Sequence, residues 1–139
     1  AFSFPRPMLH DGFDFSFSGL KTAVIQQVNQ FNTLSQSLPK EDIAASFQDA
    51  VFDTLIAKSL RACNNLNIST LVLTGGVVAN QTLIHTFKQD CQDNDISLYH
   101  PARDYCTDNA GMIGIVGYYS FTHGFFLKPE IRSNLAICN

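Results

Sequence analysis

The centre of the chain reads Leu71-Val-Leu-Thr-Gly-Gly-Val-Val-Ala-Asn80: an apolar, β-rich run ends in a pair of glycines, and a helical pattern follows at once. The near-continuous apolar character of residues 70–74 predicts a parallel strand buried on both faces. Glycine lets the backbone approach a ligand closely, and the unpaired N–H groups at a helix N-terminus favour negative charge. The segment therefore predicts a phosphate- or nucleotide-binding turn at Gly75 and Gly76, followed by a helix over residues 77–90.

A second segment repeats this arrangement at Cys106-Thr-Asp-Asn-Ala-Gly-Met-Ile-Gly114. A strand over residues 96–100 precedes it, and Thr107 is predicted to cap a helix over residues 108–123. The helix start then carries a carboxylate and a carboxamide. Because ligands of parallel sheets bind outside the carboxyl ends of the strands, the two segments together predict a nucleotide and metal site at that edge.

The remaining sequence adds two helical patterns, over residues 20–31 and 40–65, the second directly after Pro39. Phe13, Phe15 and Phe17 alternate with polar residues, as in a strand with one apolar face. The fold class is therefore α/β, with parallel strands joined by crossover helices. Two strands make a poor sheet, so either residues 13–17 add one or a preceding part of a longer protein supplies the others.

The last predicted helix contains Gly111, Gly114 and Gly117 at three-residue spacing, which favours close packing against a neighbouring backbone. Gly124 suits the exit of that helix. Residues 129–139 are predicted to form a surface tail.

Composition narrows the function classes. The chain has 139 residues, 45% of them hydrophobic, and a formal charge of -3. Binding to phosphates needs clustered Lys and Arg, so this charge balance does not by itself indicate a nucleic-acid-binding surface. The sequence contains neither an apolar run of membrane-spanning length nor a signal peptide, which predicts a cytoplasmic protein with no membrane association.

The four cysteines form no C-x-x-C pair and are predicted to be reduced thiols: Cys63, Cys91, Cys106 and Cys138. The first residue is Ala1, and the chain opens into an apolar, proline-punctuated stretch. That opening is typical of the interior of a longer protein; a processed N-terminus is the alternative.

Four motifs occur in a fixed order: Phe4-Pro-Arg-Pro-Met8, Phe15-Ser-Phe-Ser-Gly-Leu-Lys-Thr22, Gly75-Gly-Val-Val-Ala-Asn80 and Cys106-Thr-Asp-Asn109. Together they closely resemble the C-terminal half of the bacterial tRNA N6-adenosine threonylcarbamoyltransferase family, formerly called O-sialoglycoprotein endopeptidase or glycoprotease. The likeness runs from Phe4 to about Gly124.

This resemblance implies an actin-like ATPase fold (the ASKHA, ribonuclease H-like class). It implies a transferase that moves threonylcarbamoyl from threonylcarbamoyl-AMP to N6 of adenosine 37 in tRNAs reading codons that begin with A. Family members bind one metal ion, iron or zinc, through an His-x-x-x-His motif and one Asp, which Asp108 matches. Asn80 matches the Asn that contacts the adenylate. Bacterial members work with a partner paralogue and an ATPase.

The chain departs from the family in its histidines, since no two of His10, His85, His100 and His123 are four residues apart. The His-x-x-x-His motif and the first phosphate loop belong to the family's N-terminal half. Residues 1–139 are therefore expected to be a single C-terminal subdomain of a longer enzyme, with an incomplete metal site and no activity alone.

Each candidate residue also has a structural interpretation. Asp108 could stabilise a helix dipole, and Gly75-Gly76 could be an ordinary strand-to-helix turn. The nucleotide hypothesis needs Asn80 to point back toward the turn, where its amide suits a ribose or adenine edge. Cys106 is expected to be a buried core residue rather than a reactive thiol.

The serine-rich stretch before the first helix also has two interpretations. Ser16, Ser18, Gly19 and Lys21 could form only a turn and a solvated face, or Lys21 could meet the acyl phosphate or tRNA. No catalytic nucleophile or base is predicted, because Gly-x-Ser-x-Gly does not occur in the sequence.

Two functions from different classes remain open: the enzyme part described above, and a non-catalytic nucleotide-binding or assembly module of the same fold. A metalloprotease, as in the older family name, is a third alternative, but the sequence has no His-Glu-x-x-His motif. A sheet that lacks neighbours should expose an edge, so self-association of the chain is also expected.

Overall fold

The computed structural model describes residues 2–125. These contain four α-helices and two β-strands: α1 (Ser18–Thr33), α2 (Lys40–Leu66), β1 (Thr70–Val72), α3 (Gln81–Asp93), β2 (Ser97–Tyr99) and α4 (Ala110–Thr122). Two short 3-10 turns, Gly76–Ala79 and Arg103–Tyr105, precede α3 and α4. The predicted α/β class and the number of helices in this range are confirmed.

The sheet consists of β1 and β2, which pair in parallel with Leu71 opposite Leu98, and α3 is the crossover between them. Each strand has three residues, fewer than predicted. The prediction of burial on both faces is wrong for residues 2–125: Leu71 and Leu98 face the core, whereas Val72 is 64% exposed. The reason is that the described helices cover only one face of the sheet.

Two apolar clusters form most of the core. The larger joins α2 to α3 and the inner face of the sheet, with Phe52 and Ile56 of α2 against Leu83 and Phe87 of α3. The second packs the N-terminal segment and α1 on the other end of α2, around Phe4, Leu20, Ile43 and Ala50. The long α2 thus contributes to both clusters and packs against α1 and α3.

The stretch 13–17 is not a strand; it runs as a loop into α1, with Phe13 and Phe15 exposed. Two cations of α2 hold the chain just before it. The Lys58 ammonium donates to the carbonyls of Met8 (2.6 Å) and Asp11 (2.7 Å). The Arg61 guanidinium donates to the carbonyls of Leu9 (2.8 Å) and Gly12 (2.6 Å). We call these four contacts the carbonyl clamp. In the carbonyl clamp, side chains of α2 supply the hydrogen bonds to the backbone of this segment. In a β-strand, a neighbouring strand would supply them.

Helix α4 begins at Ala110, two residues later than predicted, because its N-cap is Asn109 rather than Thr107. The Asn109 carboxamide oxygen accepts from the Met112 N–H at 3.0 Å. The predicted exit is confirmed, with Gly124 at a φ of +71°.

Within residues 2–125 the predicted packing of the α4 glycines against a neighbouring backbone is not found. A Cβ on Gly114 or Gly117 would meet open space, and one on Gly111 would stand 3.1 Å from the side-chain oxygen of Asn109. The predicted tail and Cys138 lie outside the described residues. None of the helices in the described range is both long enough and apolar enough to cross a membrane.

Candidate functional site at the carboxyl end of the strands

Leu73 and Thr74 connect the end of β1 to the glycine turn. Gly75 has a φ of +99°, a conformation that strains any residue with a Cβ. Residues Gly76–Ala79 form one 3-10 turn, and α3 starts only at Gln81. The prediction that a helix begins at Val77 is therefore wrong. Asn80 ends the 3-10 turn with an extended backbone conformation, with ψ at 112°, and it is also the N-cap of α3.

Asn80 uses both ends of its carboxamide within the fold. Its Oδ1 accepts from the Leu83 N–H at 3.1 Å and so caps α3. Its Nδ2 donates to Oε1 of Gln48 on α2 at 3.2 Å. The side chain is half-buried between the two helices. One N–H of Asn80 is left over for a ligand, whereas its oxygen already accepts from the backbone.

The two predicted segments lie side by side. A Cβ on Gly76 would stand 3.8 Å from the Cγ2 methyl of Thr107. Below them Val78, Ile84 and Cys106 share one buried cluster, which ties the two turns together. Cys106 is only 4% exposed, so the expectation of a core residue is confirmed. The glycine turn and the Asp108 segment therefore meet at the carboxyl ends of β1 and β2.

Asp108 lies in the loop that enters α4 and is exposed. Within residues 2–125 its carboxylate has no hydrogen bond or ion pair, which leaves both oxygens available. The same part of the chain contains no group of three or more His, Cys, Asp or Glu side chains that could hold a metal ion. The exposed carboxylate of Asp108 is a hard oxygen group of the kind that could serve as a metal ligand.

A cleft of about 610 Å³ opens between α2 and α3 beside the glycine turn. Its walls are mostly aromatic and aliphatic, and its polar lining comes from Gln48, Thr74 and Asn80. A second cleft of about 670 Å³ lies over β2 and the start of α4, and its lining includes Asn109. Thr74 lines both clefts, so they meet at the end of β1. An apolar body with a few polar groups is the usual character of a small-ligand site.

The stretch before α1 contributes to the first cleft through Phe17. Ser16 and Ser18 lie 3.3 Å apart at their hydroxyl oxygens, and Lys21 is exposed on the first turn of α1. This geometry is compatible with either interpretation of Lys21, a solvated face or a ligand contact.

Three polar residues of α2 make contacts in the structure that were not predicted from the sequence: Gln48, Lys58 and Arg61. Lys58 could have been found, because Ala50, Thr54 and Lys58 are spaced by four and must share the buried face of one helix. Gln48 carries no such signal, since its partner Asn80 is 32 residues away.

The sequence of this chain is similar to a family of known proteins. The family model of tRNA N6-adenosine threonylcarbamoyltransferase (TsaD) matches residues 1–115. A protein of Staphylococcus haemolyticus with that name is 40% identical over 132 residues, which is 94% of this chain and 39% of the relative. Relatives of the same name from Thermosipho africanus and Desulfotalea psychrophila are 45% and 47% identical over 88% and 85% of this chain.

The chain spans a little over a third of the length of these relatives, between 36% and 39%. The match begins at the first residue and includes both turns of the site described above. The chain therefore belongs to the tRNA N6-adenosine threonylcarbamoyltransferase family.

Proposed function

We propose that this chain is the C-terminal part of an enzyme that transfers threonylcarbamoyl from threonylcarbamoyl-AMP to N6 of adenosine 37 in tRNAs reading codons that begin with A. The observation that carries the proposal is the meeting of the Gly75-Gly76 turn with the Asp108 loop at the carboxyl ends of two parallel strands. Family membership supports the same reaction. The substrates are tRNA and the adenylate.

In this proposal the glycine turn and Asn80 bind the adenylate. Gly75 and Gly76 carry no side chain, so a phosphate can approach the backbone at the point where β1 ends. Asn80 offers its remaining N–H beside an apolar cleft large enough for a nucleoside base. Because a 3-10 turn separates Gly75 from α3, a phosphate at the glycines would lie nearer to the backbone N–H groups of the turn than to the N-terminus of α3.

We also propose a role for Asp108 as one ligand of a divalent ion, iron or zinc. Its exposed and unpaired carboxylate fits that role. Two imidazoles from an His-x-x-x-His motif elsewhere in the longer protein would complete the set. Such an ion, when bound, supplies Lewis-acid polarisation of the acyl phosphate linkage. Residues 1–139 then form a subdomain that contributes one side of the site.

The wider context of the proposal follows from the family. A pair of parallel strands with a crossover helix is consistent with part of an actin-like ATPase (ribonuclease H-like) fold. A partner paralogue and an ATPase subunit would join in the bacterial transfer reaction. We propose a cytoplasmic location, in keeping with a tRNA substrate.

The metal hypothesis is tested with Asp108→Asn in the protein at its full natural length. We expect loss of bound iron or zinc and of threonylcarbamoyl transfer to tRNA, because the amide is a weaker ligand than the carboxylate. Asp104→Asn is the matched control, since Asp104 is also exposed and precedes the same helix.

The 139-residue chain alone should hold less than one ion per molecule in elemental analysis. A stoichiometric ion with all its ligands inside this chain would contradict the half-site. Full transfer activity in Asp108→Asn would contradict the ligand role.

A non-catalytic nucleotide-binding or assembly module is the second candidate. The observation in its favour is that residues 2–125 contain no group of three or more His, Cys, Asp or Glu side chains that could hold a metal ion. Under this alternative the protein at its full natural length binds AMP but transfers nothing to tRNA, with or without Asp108.

A further inference from the structure

The amide pair Gln48 and Asn80 connects α2 to the first turn of α3 at the edge of the apolar cleft. The orientation of both amides follows from one backbone group. Leu83 N–H can only donate, so the Asn80 atom that faces it must be the oxygen. Asn80 Nδ2 then faces Gln48, and the Gln48 atom that receives it must be Oε1.

In this orientation N–H donors of both side chains stay open toward the cleft, while each amide oxygen already uses one of its two lone pairs. The oxygens of both side chains already accept a hydrogen bond, from Leu83 N–H and from Asn80 Nδ2. One N–H of Asn80 and the two N–H groups of Gln48 Nε2 have no partner within the described residues. Both side chains line the same cleft.

We propose that Gln48 is a positioning residue, which holds the Asn80 carboxamide so that Asn80 presents a hydrogen-bond donor to the nucleotide. This inference rests on the proposed function, in which Asn80 contacts the adenylate. The group it would meet is an acceptor, such as a ring nitrogen or a ribose oxygen. Without Gln48, the Asn80 side chain keeps the hydrogen bond from Leu83 N–H to its Oδ1 but loses the contact that fixes its Nδ2.

The experiment is a double-mutant cycle on AMP binding, measured by titration calorimetry with the protein at its full natural length. The variants are Gln48→Met, Asn80→Ser and the pair. Ser is as good an N-cap as Asn, so Asn80→Ser keeps the cap of α3 and removes Nδ2, and with it both the donor for the ligand and the bond to Gln48. Gln89→Met, at an exposed position of α3, is the control.

We expect each single variant to weaken AMP binding about 3- to 10-fold, the range for one net hydrogen bond. The pair should bind AMP no worse than Asn80→Ser alone, because Gln48 acts through Asn80. Thermal unfolding of every variant separates this coupling from lost stability. Gln48→Ala repeats the cycle in case the Met variant does not fold.

The outcomes separate the two proposals. Unchanged AMP binding in Gln48→Met, or effects that add in the pair, overturn the positioning role and leave the nucleotide site intact. A wild-type protein that does not bind AMP overturns the nucleotide site, and the positioning role with it.

Discussion

Asn80 shows how a single carboxamide joins local structure to the candidate site. As an N-cap it satisfies one of the backbone donors that a helix start leaves unpaired, which is typically worth about 1 kcal/mol. Its other half reaches α2 through Gln48. Asn80→Ala therefore changes stability and ligand contacts together, whereas Asn80→Ser separates them. Any interpretation of a binding defect at this position depends on that distinction.

Cys91 gives a pH-dependent prediction. Burial raises the pKa of the Cys91 thiol above its ordinary value of 9.0, and nearby Cys63 and Asp90 raise it further. The folded state then holds the thiol proton more tightly than the unfolded state. This contribution to stability is complete below the unfolded pKa and is lost as pH rises through the folded value.

We therefore expect the free energy of unfolding of the wild type to fall more steeply above about pH 9 than that of Cys91→Ala. Urea unfolding between neutral and alkaline pH measures the difference. The Ala variant is less stable at every pH because it leaves a cavity, so the comparison concerns the slopes. Parallel slopes would show that the thiol titrates alike in both states.

At the scale of elements, helices were predicted well where apolar periodicity is long. Residues 40–65 were predicted and α2 is Lys40–Leu66, because Pro39 and the acidic first turn mark its start. The failures are short segments. The helix predicted from Val77 begins only at Gln81, because the cap at Asn80 places its start beyond the two valines, which as β-branched residues are poor helix formers. Residues 13–17 alternate like a strand but run as a loop, and the carbonyl clamp, which joins positions about 50 apart, holds the chain just before them.

The residues of the candidate site also fall into two groups: those that the sequence could predict and one that it could not. Gly75, Gly76, Asn80 and Asp108 could be selected from motifs, because each motif is contiguous in sequence. Their approach to one another followed from the rule that parallel strands share a carboxyl edge. Gln48 could not be selected, since its role depends on the packing of α2 against α3.

The carbonyl clamp is an element that should be essential for the N-terminal segment. Lys58 is 1% exposed, and its ammonium lies 5.7 Å from the centre of the Phe15 ring as well as on two carbonyls. We expect Lys58→Met to lower the free energy of unfolding by about 2–3 kcal/mol, because the variant removes both hydrogen bonds that the buried, charged Lys58 donates. Urea unfolding measures the loss.

Lys88→Met on the exposed side of α3 is the control for the clamp and should change stability by less than about 0.5 kcal/mol. Limited proteolysis adds a local test, since residues 8–17 should be cut faster in Lys58→Met. Equal stability of the two variants would mean that water replaces Lys58 at these carbonyls.

At the scale of the whole molecule, one side of the part that the structure describes, residues 2–125, is apolar and exposed. Helix α4 has no buried residue, and Ile113 and Val116 are each more than 60% exposed. The outer face of the sheet adds Val72 and Tyr99. Each strand also has only one hydrogen-bonded neighbour within residues 2–125. Apolar patches of this kind mark interfaces, and unpaired strand edges recruit other chains.

We expect the 139-residue chain to self-associate through this side, with a second copy covering α4. A net charge of only -3 offers little repulsion against association. Light scattering at micromolar concentration should show a dimer or larger species. Ile113→Lys with Val116→Lys should shift it toward monomer, because two charges would be buried at the contact. Ile25→Lys, which changes an exposed apolar residue of α1, should leave the association unchanged. A wild-type chain that stays monomeric would mean that α4 needs no cover, and that this chain forms a self-sufficient domain.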